Sequence, residues 1–366
     1  MLKRFPRIDL TTLLMWSVGL VMVLAMTRGM VMTLCPNWRE VLAGSGAACG
    51  GVYSAANWID FIVFGFAQGS LYALIALGYT MVYGILRMIN FAHGEVFMAG
   101  AFTSYFAAEA LSQAGLFASS PILSLLVILA VGAATSTLVA VLLERIAYRP
   151  LRRAPRLVPL ITAIGASLFL QYTFSGLYGP GVKTYPPMPA LVGKWVILGV
   201  PILKTQVVVI LAAIVFMLSL YIFVQYTRTG KAMRAVAEDK DTAALMGINV
   251  DAIIVRTFII GGSLAGAAGV LYALLNKQVQ FYMGFFPGLK AFTAAVLGGI
   301  GNIPGAMLGG LFLGVFESLG PSLFLEGLGI AAPNQIKDAI AFALLVFVLV
   351  FRPRGILGER LAEKKA

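Results

Sequence analysis

Runs of about twenty apolar residues recur along this chain, separated by short polar stretches, and that is the length a helix needs to cross a bilayer. Lipid cannot satisfy a bare peptide group, so each run has to be helical. With 60% of residues hydrophobic and 11% charged, the expected class is an all-α polytopic membrane protein. A formal charge of +12 would suggest nucleic acid in a soluble chain. Here the basic residues fall in short loops, where they act as orientation signals. No polybasic face or stacking motif accompanies them, so the expected partner is the lipid bilayer and not nucleic acid.

Hydropathy places segments at residues 10–34, 59–83, 96–110, 121–143, 158–178, 205–226 and 252–275, an interrupted stretch at 291–320, and a last segment at 335–351. The first is longer than a signal-peptide core and lacks a clear cleavage site, so it reads as retained. Lys3, Arg4 and Arg7 precede it, and Arg145, Arg149, Arg152, Arg153 and Arg156 crowd one later loop. Both regions are therefore expected on the cytoplasmic side, as is the basic C-terminus. That parity requires the 291–320 stretch to enter and leave as two helices, giving about ten segments with both termini inside. An alternative has nine segments, with the first span an add-on of different orientation. The expected organisation is an extra membrane helix and outer loop over 1–57, a main transmembrane domain over 58–357 with a cytoplasmic loop at 227–251, and a cytoplasmic tail over 358–366.

Two places cannot continue a regular helix. One is residues 90–95, with Asn90, His93 and Glu95; the other is 298–305, with Gly299, Asn302 and Pro304. Polar backbone at membrane depth must be buried in protein or line a cavity, so these six residues are candidates for a translocation path. Each break precedes a small-residue pattern, MAGA at 98–101 and MLGG at 307–310, a faint echo that reads as pseudo-repeat halves with interrupted hairpins. The competing reading is that the glycines let helices pack closely. His93 and Glu95 are expected as a hydrogen-bonded structural pair before a proton relay. Glu317, inside an apolar run, is expected to face the bundle, a cavity or the outer water layer.

Residues 227–251 form the longest charged loop, carrying Arg228, Lys231, Arg234, Lys240, Glu238, Asp239, Asp241 and Asp251. Asp239 or Asp241 can cap a short helix over 242–246, which Gly247 can end. Such a helix, with Ala243 and Ala244, is either offered to a soluble partner or is part of a solvated loop that reports orientation. Cys35 and Cys49 share one outer loop and are either free thiols or, facing an oxidising compartment, a possible disulfide. A single histidine excludes a His-based metal cage or a Ser-His-Asp triad. No phosphate-binding loop motif occurs, so ATP-driven transport would need its motor on another polypeptide.

Three stretches carry a family resemblance: MINFAHGEVFM at 88–98, RAVAED at 234–239 with AALMGI at 243–248, and KAFTAAVLGGIGNIPGAMLGG at 290–310. In this order they resemble the LivH-type permease of branched-chain amino acid ABC importers, over residues 60–357. The resemblance implies a bacterial inner-membrane permease with a LivM-like permease partner, two ATPase subunits that use ATP and Mg, and a periplasmic binding protein. It implies no cofactor bound by this chain. It also implies coupling to the ATPase through Arg234, Glu238, Asp239, Asp241, Ala243, Ala244 and Gly247. Residues 241–247 approximate the Glu-Ala-Ala…Gly loop of ABC importers, with Asp241 and Thr242 in place of the first two. The first 55 or so residues have no counterpart in typical members. Rival readings are an importer of urea or short amides, a self-sufficient channel or secondary transporter, and an intramembrane enzyme.

Overall fold

A computed structural model describes residues 10–43, 49–152, 154–155, 157–197, 200–330, 332–351 and 355–358. Lys3, Arg4, Arg7, Arg153, Arg156, loop residues 44–48 and all of the expected tail except Gly358 lie outside the described residues. Apart from short helical segments such as Trp38–Leu42 and Leu116–Ser119, the helices in chain order are α1 (Leu10–Leu34), α2 (Ala55–Leu86), α3 (His93–Gln113), α4 (Pro121–Leu143), α5 (Leu157–Tyr178), α6 (Lys204–Tyr226), α7 (Arg228–Glu238), α8 (Lys240–Leu245), α9 (Val250–Asn276), α10 (Phe285–Gly298), α11 (Ile303–Gly320) and α12 (Lys337–Phe351). Every expected membrane segment coincides with one of these helices. Among the described residues, seven helical stretches are long and apolar enough to cross a bilayer, and part of α1 and α10 are shorter apolar helices. The chain is an all-α polytopic membrane protein.

Contacts divide the chain into two compact units, 1–62 with 316–340, and 63–315 with 341–366. In the first, α1 packs along residues 321–328, and Gly29 lets its backbone meet the Phe324 carbonyl. Cys35 and Cys49 are joined in a disulfide, closing the loop that follows α1. Tyr53, Trp58 and Phe61 meet edge to face at 5.3–5.8 Å, and the Tyr53 hydroxyl donates to Glu326. Glu317 is buried, one residue before Ser318, whose hydroxyl donates to the Phe61 carbonyl at 2.6 Å.

The second unit is centred on α3, α4 and α9. Gly100, Gly132 and Gly266 face one another there, and a Cβ on any of them would collide with a neighbouring helix. Without side chains between them the backbones come close enough for dispersion to hold them, which matters where lipid supplies no hydrophobic drive. Ser136 adds a hydrogen bond across the crossing, to the Val96 carbonyl at 2.6 Å. The same device packs α2 on α11 through Gly69, Ala73 and Gly310, and α3 on α10 through Gly94, Gly284 and Gly288. Gly309 and Gly310 therefore serve packing.

Outside the helices, the stretch after α5 is partly ordered. Its residues include β1 (Lys183–Thr184), β2 (Lys194–Ile197) and β3 (Val200–Leu203); β2 and β3 form an antiparallel hairpin, and β1 pairs with β4 (Gln278–Val279). Tyr185 is buried beneath this pairing, and that burial pushes its hydroxyl pKa up.

Candidate functional site

Both helix breaks exist, with different limits from those the sequence suggested. The first spans residues 87–92, between α2 and α3, so His93 and Glu95 lie in the first turn of α3 and not in the interruption. Arg87 opens this break with φ +57, a left-handed conformation uncommon for a residue with a Cβ. The second spans residues 299–302, between α10 and α11. Pro304 falls in the first turn of α11, where its missing N–H costs nothing. Asn302 caps that helix, accepting from Gly305 N at 2.9 Å, and donates from its amide to the Leu357 carbonyl at 2.8 Å. Gly299 turns the chain at φ +104, which a side chain would strain.

The two breaks are held differently. In the first, the Tyr148 hydroxyl donates to Asn90 Oδ1, with both residues buried. In the second, the carbonyls that end α10 are met by chain from much later in the sequence. Ile356 N donates to Leu297 O at 2.8 Å and Leu357 N to Gly298 O at 3.1 Å. Those carbonyls would otherwise lack partners, as the last carbonyls of any helix do.

The charged loop holds two helices where one was expected. The additional one, α7, starts at a Thr227 cap that accepts from Gly230 N at 3.0 Å. Gly230, Met233 and Val236 recur every three residues and are its buried face. Asp239 caps α8, accepting from Asp241 N at 2.9 Å and Thr242 N at 3.1 Å, and α8 ends where Gly247 takes φ +82. Ile248 N then reaches back to Ala243 O at 3.1 Å, closing the end as helices commonly close at glycine. Ala243 is buried and Ala244 exposed, while Leu245 and Met246 are 87% and 78% exposed. Glu238 and Asp241 are also exposed. Arg234 turns back to Gln225 Oε1 at 2.9 Å.

Helix α7 lies next to both breaks. Arg87 Nη2 donates to the Ala237 carbonyl in the last turn of α7 at 2.9 Å. Met233, Arg234 and Ala237 of α7 share a small cavity of about 70 Å³ with Gly301 of the second break, with Ile303 at the start of α11, and with Gly84 and Ile85 at the end of α2. Beside it, Arg149 and Arg152 pair with Asp251, and Arg152 also with the fully buried Glu144. Lys240 is half-buried in this basic ground. Burial first, then the nearby Arg152 and Arg87, hold its pKa below the ordinary 10.5, against an opposing pull from Asp241.

A second polar place lies deeper. The expected His93–Glu95 pair is replaced by partners that a sequence pattern did not reveal: Glu95 Oε1 accepts from Ser167 at 3.2 Å and Gln171 at 2.7 Å. These two sit four apart on α5, one helical turn, within an otherwise apolar run. His93 is buried against Gly78 and edge-on to Tyr79 at 4.9 Å, so its ring fills the contact between α2 and α3. Beside Ser167 a cavity of about 300 Å³ opens, lined by Tyr79, Phe91, Ile164, Leu168, Phe285 and Leu289. Among the described residues no group of His, Cys, Asp and Glu could hold a metal ion.

Bilayer-length helices, interrupted twice and with the amphipathic α7 next to both breaks, define a polytopic membrane permease. The family described as branched-chain amino acid transport system, permease component, matches residues 61–349, and the chain belongs to it. It is 44% identical over 311 residues to the high-affinity branched-chain amino acid transport system permease protein BraD of Pseudomonas aeruginosa, covering 84% of this chain and 98% of that one. LivH of Escherichia coli, of the same description, is 44% identical over 309 residues, 82% of this chain and 95% of that one. A probable branched-chain permease of Methanocaldococcus jannaschii is 28% identical over 303 residues, 79% and 89% of the two chains. No solved structure matches. Members of this family are transport components and not enzymes, and the intramembrane-enzyme reading is set aside. The match begins at residue 61, so α1 and the Cys35–Cys49 loop lie outside it.

Proposed function

We propose that this chain is the permease subunit of an inner-membrane ABC importer that passes branched-chain amino acids from a periplasmic binding protein to the cytoplasm, with a LivM-like second permease. Two separate ATPase subunits, using ATP and Mg, supply the power, and this chain binds no cofactor. The observation that carries the reading is that α7, in the charged loop, accepts a hydrogen bond from Arg87 of the first break and lines one cavity with Gly301 of the second. The end of α8 presents Leu245 and Met246 to solvent. Two large apolar side chains left in water on a charged loop need a partner surface, and a soluble ATPase at the cytoplasmic face provides one.

Motion then has a physical route. Closure of the motor pushes α8, α7 follows through the Asp239 junction, and the first break is displaced by this lever through Arg87. The apolar cavity beside Ser167 suits the aliphatic cargo named for the relatives. Because Ala243 and Gly247 shape α8 itself, the cleaner test replaces the exposed residues. Leu245→Glu with Met246→Glu should leave the permease folded in the membrane, abolish co-purification of the ATPase subunits and reduce leucine uptake at least tenfold. Normal uptake by that double variant would remove the lever from the mechanism.

A further inference from the structure

The wall of the cavity beside α5 is apolar except where Ser167 interrupts it and Tyr79 presents a ring. Ser167 lies in that wall with its hydroxyl 3.2 Å from Glu95 Oε1. The serine hydrogen is committed to Glu95, so the serine lone pairs are left for a donor. Gln171 fixes the same carboxylate oxygen from one turn further along α5. Glu95 Oε2 has no hydrogen-bond partner, although the side chain is only 1% exposed. A buried carboxylate with one oxygen unmatched is unfavourable as it stands and becomes favourable when a cation arrives.

We propose that Ser167, backed by Glu95 and oriented through Gln171, forms an ammonium subsite in the transport path. The adjoining cavity takes the aliphatic side chain of the same solute. This rests on the permease reading above and adds the part of the cargo that is recognised. The ligand class is a small amine whose N–H groups face Ser167 while a branched hydrocarbon lies against Phe91, Leu168 and Phe285. A cavity of about 300 Å³ sits at the small end of ligand pockets, which suits a single amino acid. An isosteric acid without the amine would leave the serine lone pairs and the carboxylate behind them unmatched.

Both native cysteines are tied in the disulfide, so Leu168→Cys gives this chain one reactive thiol, in the cavity wall, and its labelling is read on this chain's band from the assembled transporter. Its alkylation by N-ethylmaleimide is timed with leucine, with 3-methylbutylamine, and with 4-methylpentanoate, which keeps leucine's carbon skeleton and lacks the amine. The two amines are expected to slow alkylation, and the acid at equal concentration is not. Adding Glu95→Gln should raise the leucine concentration for half-protection at least tenfold, each variant being scaled to its own unprotected rate. Ile164→Cys as reporter, and Ser167→Ala in place of Glu95→Gln, carry the same expectation if either first variant fails to assemble. Equal protection by acid and amines, no protection by any of them, or no shift with Glu95→Gln and Ser167→Ala would overturn the subsite. Leucine uptake by the same cells separates the two claims: its absence sinks the importer reading, and amine-selective protection would still uphold the subsite.

Discussion

The two helix breaks do the same geometric job with different materials. At residues 87–92 the chain is held by side chains, Asn90 by Tyr148 and the Ala237 carbonyl by Arg87. At residues 299–302 it is held largely by main chain, with the Ile356 and Leu357 N–H groups closing the end of α10. A break held by backbone tolerates point changes and fails when the strand that closes it is removed. A break held by side chains can be altered one residue at a time. Under the proposed mechanism the first break is where coupling to α7 can be tuned, whereas the second is closed by main chain.

The largest effect should come from ending the chain after Arg354. That removes the donors to Leu297 O and Gly298 O and the acceptor for Asn302, about 1 kcal/mol net for each of these bonds. Thermal unfolding of the purified transporter should show a destabilisation of about 3 kcal/mol together with a marked loss of protein from the membrane. Unchanged stability would mean the second break does not depend on this closure. Next is Tyr148→Phe, which leaves Asn90 Oδ1 buried without its donor at about 1–3 kcal/mol. The same melting measurement should detect it; a shift as large as that of the truncation would erase the contrast between the breaks.

The smallest effect belongs to Lys240→Met. With its folded pKa held below the unfolded 10.5, the lysine's charge opposes folding at neutral pH. The unfolded chain binds more protons between those two values, so stability rises with pH through that interval. The methionine variant should therefore be slightly more stable than the parent near neutrality, with the gap narrowing at alkaline pH. A gap that widens with pH would reverse the sign of the argument.

Much of the fold was legible because lipid leaves a chain few choices. Segment 121–143 coincides with α4, and 205–226 differs from α6 by one residue. The breaks were located to within a few residues because polar or Gly/Pro-rich stretches interrupt the apolar runs, but their limits depended on caps such as Asn302 that hydropathy does not sense. Helix α7 was missed because its buried face is narrow and made of Gly230, Met233 and Val236; the three-residue spacing was the available signal. Ser167 and Gln171 were hidden in an apolar run, since pairing with Glu95 across more than 70 positions leaves no local trace. Leu245 and Met246 looked like ordinary helix residues until their exposure was known.

The account stands or falls on the lever moving the first break through Arg87. In proteoliposomes containing the whole transporter, ATP hydrolysed per leucine imported should rise several-fold in Arg87→Ala, while thermal stability shifts by less than about 1 kcal/mol for a single exposed hydrogen bond. An unchanged ratio in a stable variant would show that the motor's motion reaches the gate without this contact, and the mechanism would have to be abandoned.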